Sequence, residues 1–459
     1  MGVSSLAPRT VRGRQSWSAR YFARRVVYPW ELPSIMRKHI YTGAMGSTYY
    51  ALINGIFFVY FGNSIGMSRF QWGVMGGIAS FVLTAQLLSA VLTQRSGRRK
   101  VVWFASAIAA RGLRILGILV SLWLWHTGWV QASVVLIAFI CLSNFFGAMA
   151  EPPWLSWLAD IIPERDHGRF WGRRSAWIAL SVACAVIPAG LLMDWVPEAR
   201  KLIATTVVFG GAAVIGFIDL FIHGTIPEPP MAMPRQGHFL SHLLAPIRDC
   251  AFRPWLTFNV CWTFGMTFGG ALSTLYFVDE LGMKKHFLGG VIVLTALPFV
   301  GSILTGRWSG RLVDRLGPRR VLYWGHLFWA SLPAFWLFAS PGVSALILLG
   351  FSSLLGGTSS AAAVNAATKL ITRLPPAAER AMYVAVSSCL GNVAGGLGVL
   401  AAGTVLHALE HWHWEVWGWT LVGFHVLFLG SLLLRFGSAL TLIRRVRDPV
   451  TQPADPQDP

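Results

Sequence analysis

Few charges interrupt the apolar stretches of this chain, and those that do are the first place to look for chemistry. Arg111, Arg114, Glu151 and Lys369 each fall inside a long apolar run. A charge at the centre of a hydrocarbon layer costs about 2.5–3.5 kcal/mol or more, so each needs a partner or a wet cavity. Arg111 and Arg114 are three apart and share a helix face. Counted from the ends of neighbouring antiparallel helices, Arg111 and Glu151 fall at similar depth and are expected to pair. Two active roles are open: Glu151 takes up and loses a proton, or an arginine holds an anionic group. The alternative is a permanent structural ion pair. Pro152 and Pro153 follow Glu151 and are expected to break local hydrogen bonding, which leans toward the active roles. Lys369, one turn after Asn365, suits a gate or a snorkelling cation better than a ligand contact. Asp219, also near a helix end, reads as interfacial.

A second constellation belongs to another class of chemistry. His407, Glu410 and His411 match the H-x-x-E-H pattern of zinc hydrolases, with Glu410 as the base. No third-ligand helix is evident, and so short a match arises by chance, so the zinc hydrolase stays a remote alternative and no metal or cofactor is expected. The five cysteines, Cys141, Cys184, Cys250, Cys261 and Cys389, show no paired spacing and read as small packing residues. No G-x-x-x-x-G-K-[ST] loop is present, so ATP is not implied.

The elements that must hold these residues are membrane helices. The chain of 459 residues is 54% hydrophobic and 12% charged, too little polar surface for a soluble protein of that length. Apolar runs of about 20 residues recur, each long enough to span a hydrocarbon core of about 30 Å, and lipid leaves the helix as the only way for such a run to satisfy its backbone. Six runs, a polar bridge and six more runs divide the chain: a basic cytoplasmic arm 1–40, a first bundle 41–222, a linker 223–254, a second bundle 255–443 and a cytoplasmic tail 444–459. The net charge of +19 is a matter of topology. With both termini cytoplasmic, the opposite loops hold only Arg69, Arg200, Lys201, Lys284 and Lys285, and Arg111, Arg114, Lys369 and Arg435 lie within spans. That positive-inside bias sets the orientation and argues for anionic lipid rather than nucleic acid as the partner. The arm lacks the apolar core of a cleavable signal and is expected to lie on the inner leaflet; its first 30 residues hold no acid, which also resembles an organellar transit peptide.

The halves repeat. Gly66-Met67-Ser68-Arg69 and Gly282-Met283-Lys284-Lys285 open the second and eighth helices, with Gly73 and Gly289 at matching distances. The next loops match as well, Gln94-Arg95-Ser96-Gly97-Arg98-Arg99-Lys100 against Asp314-Arg315-Leu316-Gly317-Pro318-Arg319-Arg320. Same-direction repeats imply a two-fold axis along the membrane normal.

The segment from Gly310 through Asp314, Arg315 and Gly317 to Arg319 and Arg320 resembles the cytoplasmic loop motif of the major facilitator superfamily. In that motif Gly310 is expected to let two helices touch, Gly317 to permit the turn, and Asp314 to cap a helix or pair across a cytoplasmic gate. The first half departs from it, with Gln94 in place of the acid beside Arg95, Gly97 and Arg98, so its latch is expected from the loop after the fourth helix: Asp160, Glu164, Gly168, Arg169 and Arg173. The resemblance implies an all-α membrane fold of twelve helices in two six-helix bundles. It also implies alternating-access transport of a small solute, with protons as a candidate coupling ion in symport, by a monomer in a bacterial inner membrane, rather than an enzyme. In that family the first, fourth, seventh and tenth helices line the cavity, which makes Asn54, Asn144, Asn259 and Asn365 candidate substrate contacts; a helix–helix hydrogen bond is the alternative for each. A transporter-like sensor or a lipid- or pigment-handling scaffold is the rival function.

Overall fold

The computed structural model describes residues 27–230, 239–283, 286–375, 380–416 and 419–448, apart from some side chains inside helices, those of Gln94, Glu164, Gly168, Arg169 and Asp314 among them. Nine helical stretches among the described residues are long and apolar enough to cross a membrane by length and composition. Three further segments are pairs of shorter helices, a pattern consistent with twelve crossings.

In the first half, α1 (Leu32–Leu52) and α2 (Gly55–Ser64) form one broken crossing, and α3 (Arg69–Val82) with α4 (Ala85–Ser96) the next. They are followed by α5 (Arg99–His126), α6 (Ala132–Ile161), α7 (Glu164–Trp195) and α8 (Glu198–Gly224). The linker holds α9 (Phe239–Arg248). The second half runs α10 (Arg253–Gly270), α11 (Ser273–Asp279), α12 (Phe287–Val291), a π turn over Ile292–Ala296, α13 (Leu297–Leu316), α14 (Pro318–Ala330), α15 (Leu332–Leu337), α16 (Val343–Arg373), α17 (Arg380–Ala408) and α18 (Gly423–Gly437). Helix α1 already begins inside the stretch read as an arm. A short antiparallel hairpin, β1 (His413–Val416) and β2 (Trp419–Val422), stands between α17 and α18.

Local chemistry explains the joints. Ser68 and Gln71 form a reciprocal capping box that starts α3, with bonds of 3.2 and 2.9 Å. The matching loops after α4 and α13 both turn on a glycine at positive φ, Gly97 at 59° and Gly317 at 84°, a region costly for residues with a Cβ. The α1–α2 break falls at Asn54, whose backbone is extended (φ −130°, ψ −169°), followed by Gly55 at φ 62°. The amide of Asn54 repays one orphaned carbonyl by donating to Tyr50 O at 2.8 Å. The break expected at Pro152–Pro153 is absent: α6 runs through both prolines. Pro153 cannot donate to Met149 O four residues back, and Ser89 Oγ donates to that oxygen instead, at 2.5 Å.

The core shows how the halves meet. At the end opposite the linker, here the outer end, one buried cluster joins both halves, from Ile53, Phe57 and Phe61 through Val186 and Phe209 to Phe277, Phe287 and Phe428. At the linker end each half has its own core, Trp103, Trp157, Phe170 and Leu220 in the first, and Trp255, Phe258, Leu322 and Leu370 in the second. Helices of the two halves meet at the outer end, α3 against α17, α7 against α12 and α2 against α11. At the first, Gly73 lies so close to Gly403 that a Cβ on Gly73 would sit 2.5 Å from Gly403 Cα. At the second, Asp194 caps α12 by accepting from Phe287 N at 2.7 Å and Leu288 N at 3.1 Å. Arg69 bonds Glu280, and Asn63 donates to Asp279 at 2.8 Å, across the same seam.

Candidate functional site

A cavity of about 900 Å³ opens mainly within the first half. It is walled by α1, α3, α5, α6, α7 and α8 of the first half, with Thr295 of the π turn and Phe299 of α13 facing it from the second. Its polar residues form two groups.

The first group surrounds Arg114, which is only 6% exposed. Its Nη1 donates to Asn54 Oδ1 at 2.6 Å, its Nη2 to Asn144 Oδ1 at 2.5 Å and its Nε to Ser143 Oγ at 3.3 Å. The break in α1 is what turns Asn54 toward it. Three helices are thereby tied to one guanidinium. Among the described residues, no acid lies within ion-pair distance of it.

The second group is Arg111, Asp219 and Arg174. Arg111 Nη2 pairs with Asp219 Oδ2 at 2.6 Å, and Nη1 bonds Gly216 O. The expected Arg111–Glu151 pair is not formed. Glu151 instead accepts from Gln86 Nε2 at 2.8 Å and stands exposed in the cavity. Matching depths along α5 and α6 overlooked α8, which also packs on α5, and the long arginine side chain reaches an acid nearer the linker end than its own Cα. Asp219, read as interfacial, is 4% exposed and belongs to the site. The Arg174 guanidinium lies over the Trp154 ring at 5.1 Å, in contact range for a cation–π interaction. Glycines make the room: a Cβ on Gly43 would lie 2.6 Å from Arg174 Nε, and one on Gly46 2.9 Å from Asp219 Oδ2.

The remaining residues singled out from sequence fall elsewhere. Asn54 and Asn144 line the cavity. Asn259 donates to Ser387 O at 3.0 Å, and Asn365 to Ser309 Oγ at 2.7 Å, which are the helix–helix bonds weighed as the alternative. Lys369 lies on α16, outside the cavity wall. Asp160, one of the residues expected to form the first-half latch, pairs with Arg99 at 2.5 Å. Arg99 is fully buried and also donates to Ser156 O and Pro229 O, both at 3.0 Å. It therefore fastens the α4–α5 loop to α6 and the linker, a role that sequence reading gave to no residue of that loop. Arg95, Arg98 and Arg173 are exposed. Gln94, Glu164, Gly168 and Arg169 side chains lie outside the described residues, as does that of Asp314. Gly310 does not bring helices together, since a Cβ there would meet nothing within 4 Å. Arg315 and Arg320 are exposed, while Arg319 N donates to Asp448 Oδ1 at 3.0 Å and ties the loop to the tail. His407 Nδ1 lies 3.6 Å from Glu410, and both are solvent-exposed at the outer end.

The site is a polar cavity with a broken helix in its wall, beneath an outer seam where the two halves pack together. The sequence model of the Major Facilitator Superfamily matches residues 40–313 and 293–457, and the chain belongs to that family. That family is one of multi-pass membrane transporters. The fold is shared with a point variant of the nucleoside transporter NupG at a TM-score of 0.71 and 12% identity, over 91% of this chain and all of the other. A probable chloroplastic anion transporter of Arabidopsis thaliana is 33% identical over 130 residues, 27% of this chain and 24% of that protein. A probable 4-methylmuconolactone transporter of Cupriavidus pinatubonensis is 24% identical over 261 residues, 56% of this chain and 57% of the relative. The matched stretches thus cover a quarter and just over half of these curated relatives.

Proposed function

We propose that the chain carries a small solute across a bacterial inner membrane by rocking its two halves about the cavity, in a cycle coupled to protons through Glu151. The observation that carries this reading is the division of the core: one cluster shared at the outer end, two separate clusters at the linker end. With the termini cytoplasmic, that is the inward-open member of an alternating pair. Discontinuous helices at mid-depth recur at transporter binding sites, and α1 breaks at Asn54, in the cavity wall. Glu151 accepts from the neutral amide of Gln86 rather than from an arginine. The names of the two curated relatives, an anion transporter and a muconolactone transporter, are in keeping with a small organic solute.

The test is uptake into proteoliposomes. The wild type should concentrate its substrate under an inward proton gradient, and Glu151→Gln should lose that concentration while retaining exchange. Gradient-driven accumulation by Glu151→Gln at the wild-type level would remove Glu151 from coupling. A ligand bound stably with no flux in any direction would favour a sensor or scaffold over a carrier.

A further inference from the structure

We infer that the cavity selects an organic monocarboxylate and that Arg114 is the residue that binds it. The inference rests on the transport reading for its purpose, though not for its chemistry, which concerns binding alone.

Charge leads to the class of ligand. The ionised groups lining the cavity are Arg111, Arg114, Arg174, Glu151 and Asp219, three cations against two acids, a formal excess of one positive charge. Asp219 is engaged by Arg111 at 2.6 Å. Of the other two arginines, Arg174 lies over the Trp154 ring, while Arg114 bonds Asn54, Asn144 and Ser143, all neutral. Taking an arginine out of water without a counter-ion costs several kcal/mol. Three neutral oxygens recover part of that, and a ligand anion recovers the rest. A single excess charge matches a monoanion better than a dianion, which would leave the cavity negative.

Geometry leads to the carboxylate. Each terminal nitrogen of the Arg114 guanidinium carries two N–H groups, and one of each is used by an asparagine. One N–H on each terminal nitrogen is left for a ligand, the number a carboxylate takes when it pairs with the guanidinium fork through two hydrogen bonds. The asparagines and Ser143 hold the fork in place in advance, so little side-chain entropy is lost on binding.

The walls lead to an organic body. Tyr50, Trp103, Trp154 and Phe299 line the same space, and a volume of about 900 Å³ is far larger than an inorganic ion requires. A cavity of this size, mostly apolar with a few convergent polar groups, suits a drug-sized organic molecule.

The experiment is thermal stabilisation and calorimetric titration of the purified full-length protein. The probes are benzoate, phenylacetate, cinnamate and hexanoate, each with its primary amide, together with inorganic phosphate. At least one carboxylate should bind while its amide does not, and phosphate should be inert. Arg114→Gln should weaken that carboxylate by about thirtyfold or more, the scale of losing one partner of a buried charge pair. Asn54→Asp, which leaves Arg114 in place but gives it an internal counter-ion, should weaken it comparably. Amides binding as tightly as their acids, no carboxylate binding at all, or phosphate binding in preference would each overturn the assignment. So would wild-type carboxylate affinity in either folded variant. The comparison of acid and amide on wild-type protein stands even if both variants fail to fold. Because no flux is measured, carboxylate binding without transport would leave this assignment intact and count against the carrier reading alone.

Discussion

Replacing Gly73 by leucine should pry the two halves apart at their outer ends. Gly73 on α3 and Gly403 on α17 meet backbone to backbone, and a Cβ on Gly73 would stand 2.5 Å from Gly403 Cα and 3.1 Å from Gly403 N. Neither atom belongs to a flexible side chain, so the clash can be relieved only by moving one helix against the other. Overpacking of this kind costs about 1–3 kcal/mol. The α3 helix itself does not resist the change, since a glycine within a helix is worse than alanine by about 1 kcal/mol. The penalty therefore falls on the outer-closed arrangement alone and should shift its population by about 5- to 150-fold. Spin labels on Gln131→Cys and Ser344→Cys, both exposed at the outer end of opposite halves, would report it in a background free of the native cysteines. The label separation should broaden toward longer distances in Gly73→Leu. Gly210→Leu serves as the control, because a Cβ at Gly210 meets nothing within 4 Å. An unchanged distance distribution in folded Gly73→Leu would refute the view that this crossing holds the outer end shut.

Three other outcomes follow from the same contacts. Asp194→Asn weakens the cap on α12, which takes both Phe287 N and Leu288 N; the loss should be about 0.5–2 kcal/mol and should widen the same label pair. Asp219→Leu leaves the part-buried Arg111 without its acid, and loss of one partner of a buried pair costs up to about 3–5 kcal/mol, so the detergent-solubilised protein should melt at a lower temperature; an unchanged melting temperature would mean that the pair is not structural. Arg99→Ala removes the bonds to Asp160, Ser156 and Pro229 and should raise proteolytic cleavage in the linker, measured against wild type by limited digestion.

How much of this could be read in advance varied with the kind of residue. The repeated loops gave the two halves because Gly97 and Gly317 stand at matching turns, both at positive φ. Apolar length gave the crossings because lipid allows a spanning segment so few alternatives. Asn54 and Asn144 were legible as cavity residues through the family resemblance, and Asn259 and Asn365 were not distinguishable from them, since an asparagine facing a ligand and one bonding a neighbouring helix look alike in sequence. The charge pairing was misread because helix depth constrains height and not azimuth: Arg111 had two neighbours, α6 and α8, and Asp219 on α8 won. The prolines after Glu151 marked a real break in hydrogen bonding without a break in the helix, because Ser89 of another helix supplies the missing donor. That compensation involves residues 60 positions apart and has no local signature. The actual break, at Asn54-Gly55, did have one: an Asn-Gly pair in the middle of an apolar run.

The central claim is that this cavity delivers its ligand across the membrane. The direct measurement is counterflow: proteoliposomes loaded with the unlabelled carboxylate that best stabilises the purified protein, diluted into a trace of the same compound radiolabelled. The account predicts a transient overshoot of label inside, present in the wild type and lost in Arg114→Gln. Label that never rises above equilibrium in wild-type vesicles, with the protein folded and binding the compound, would contradict it.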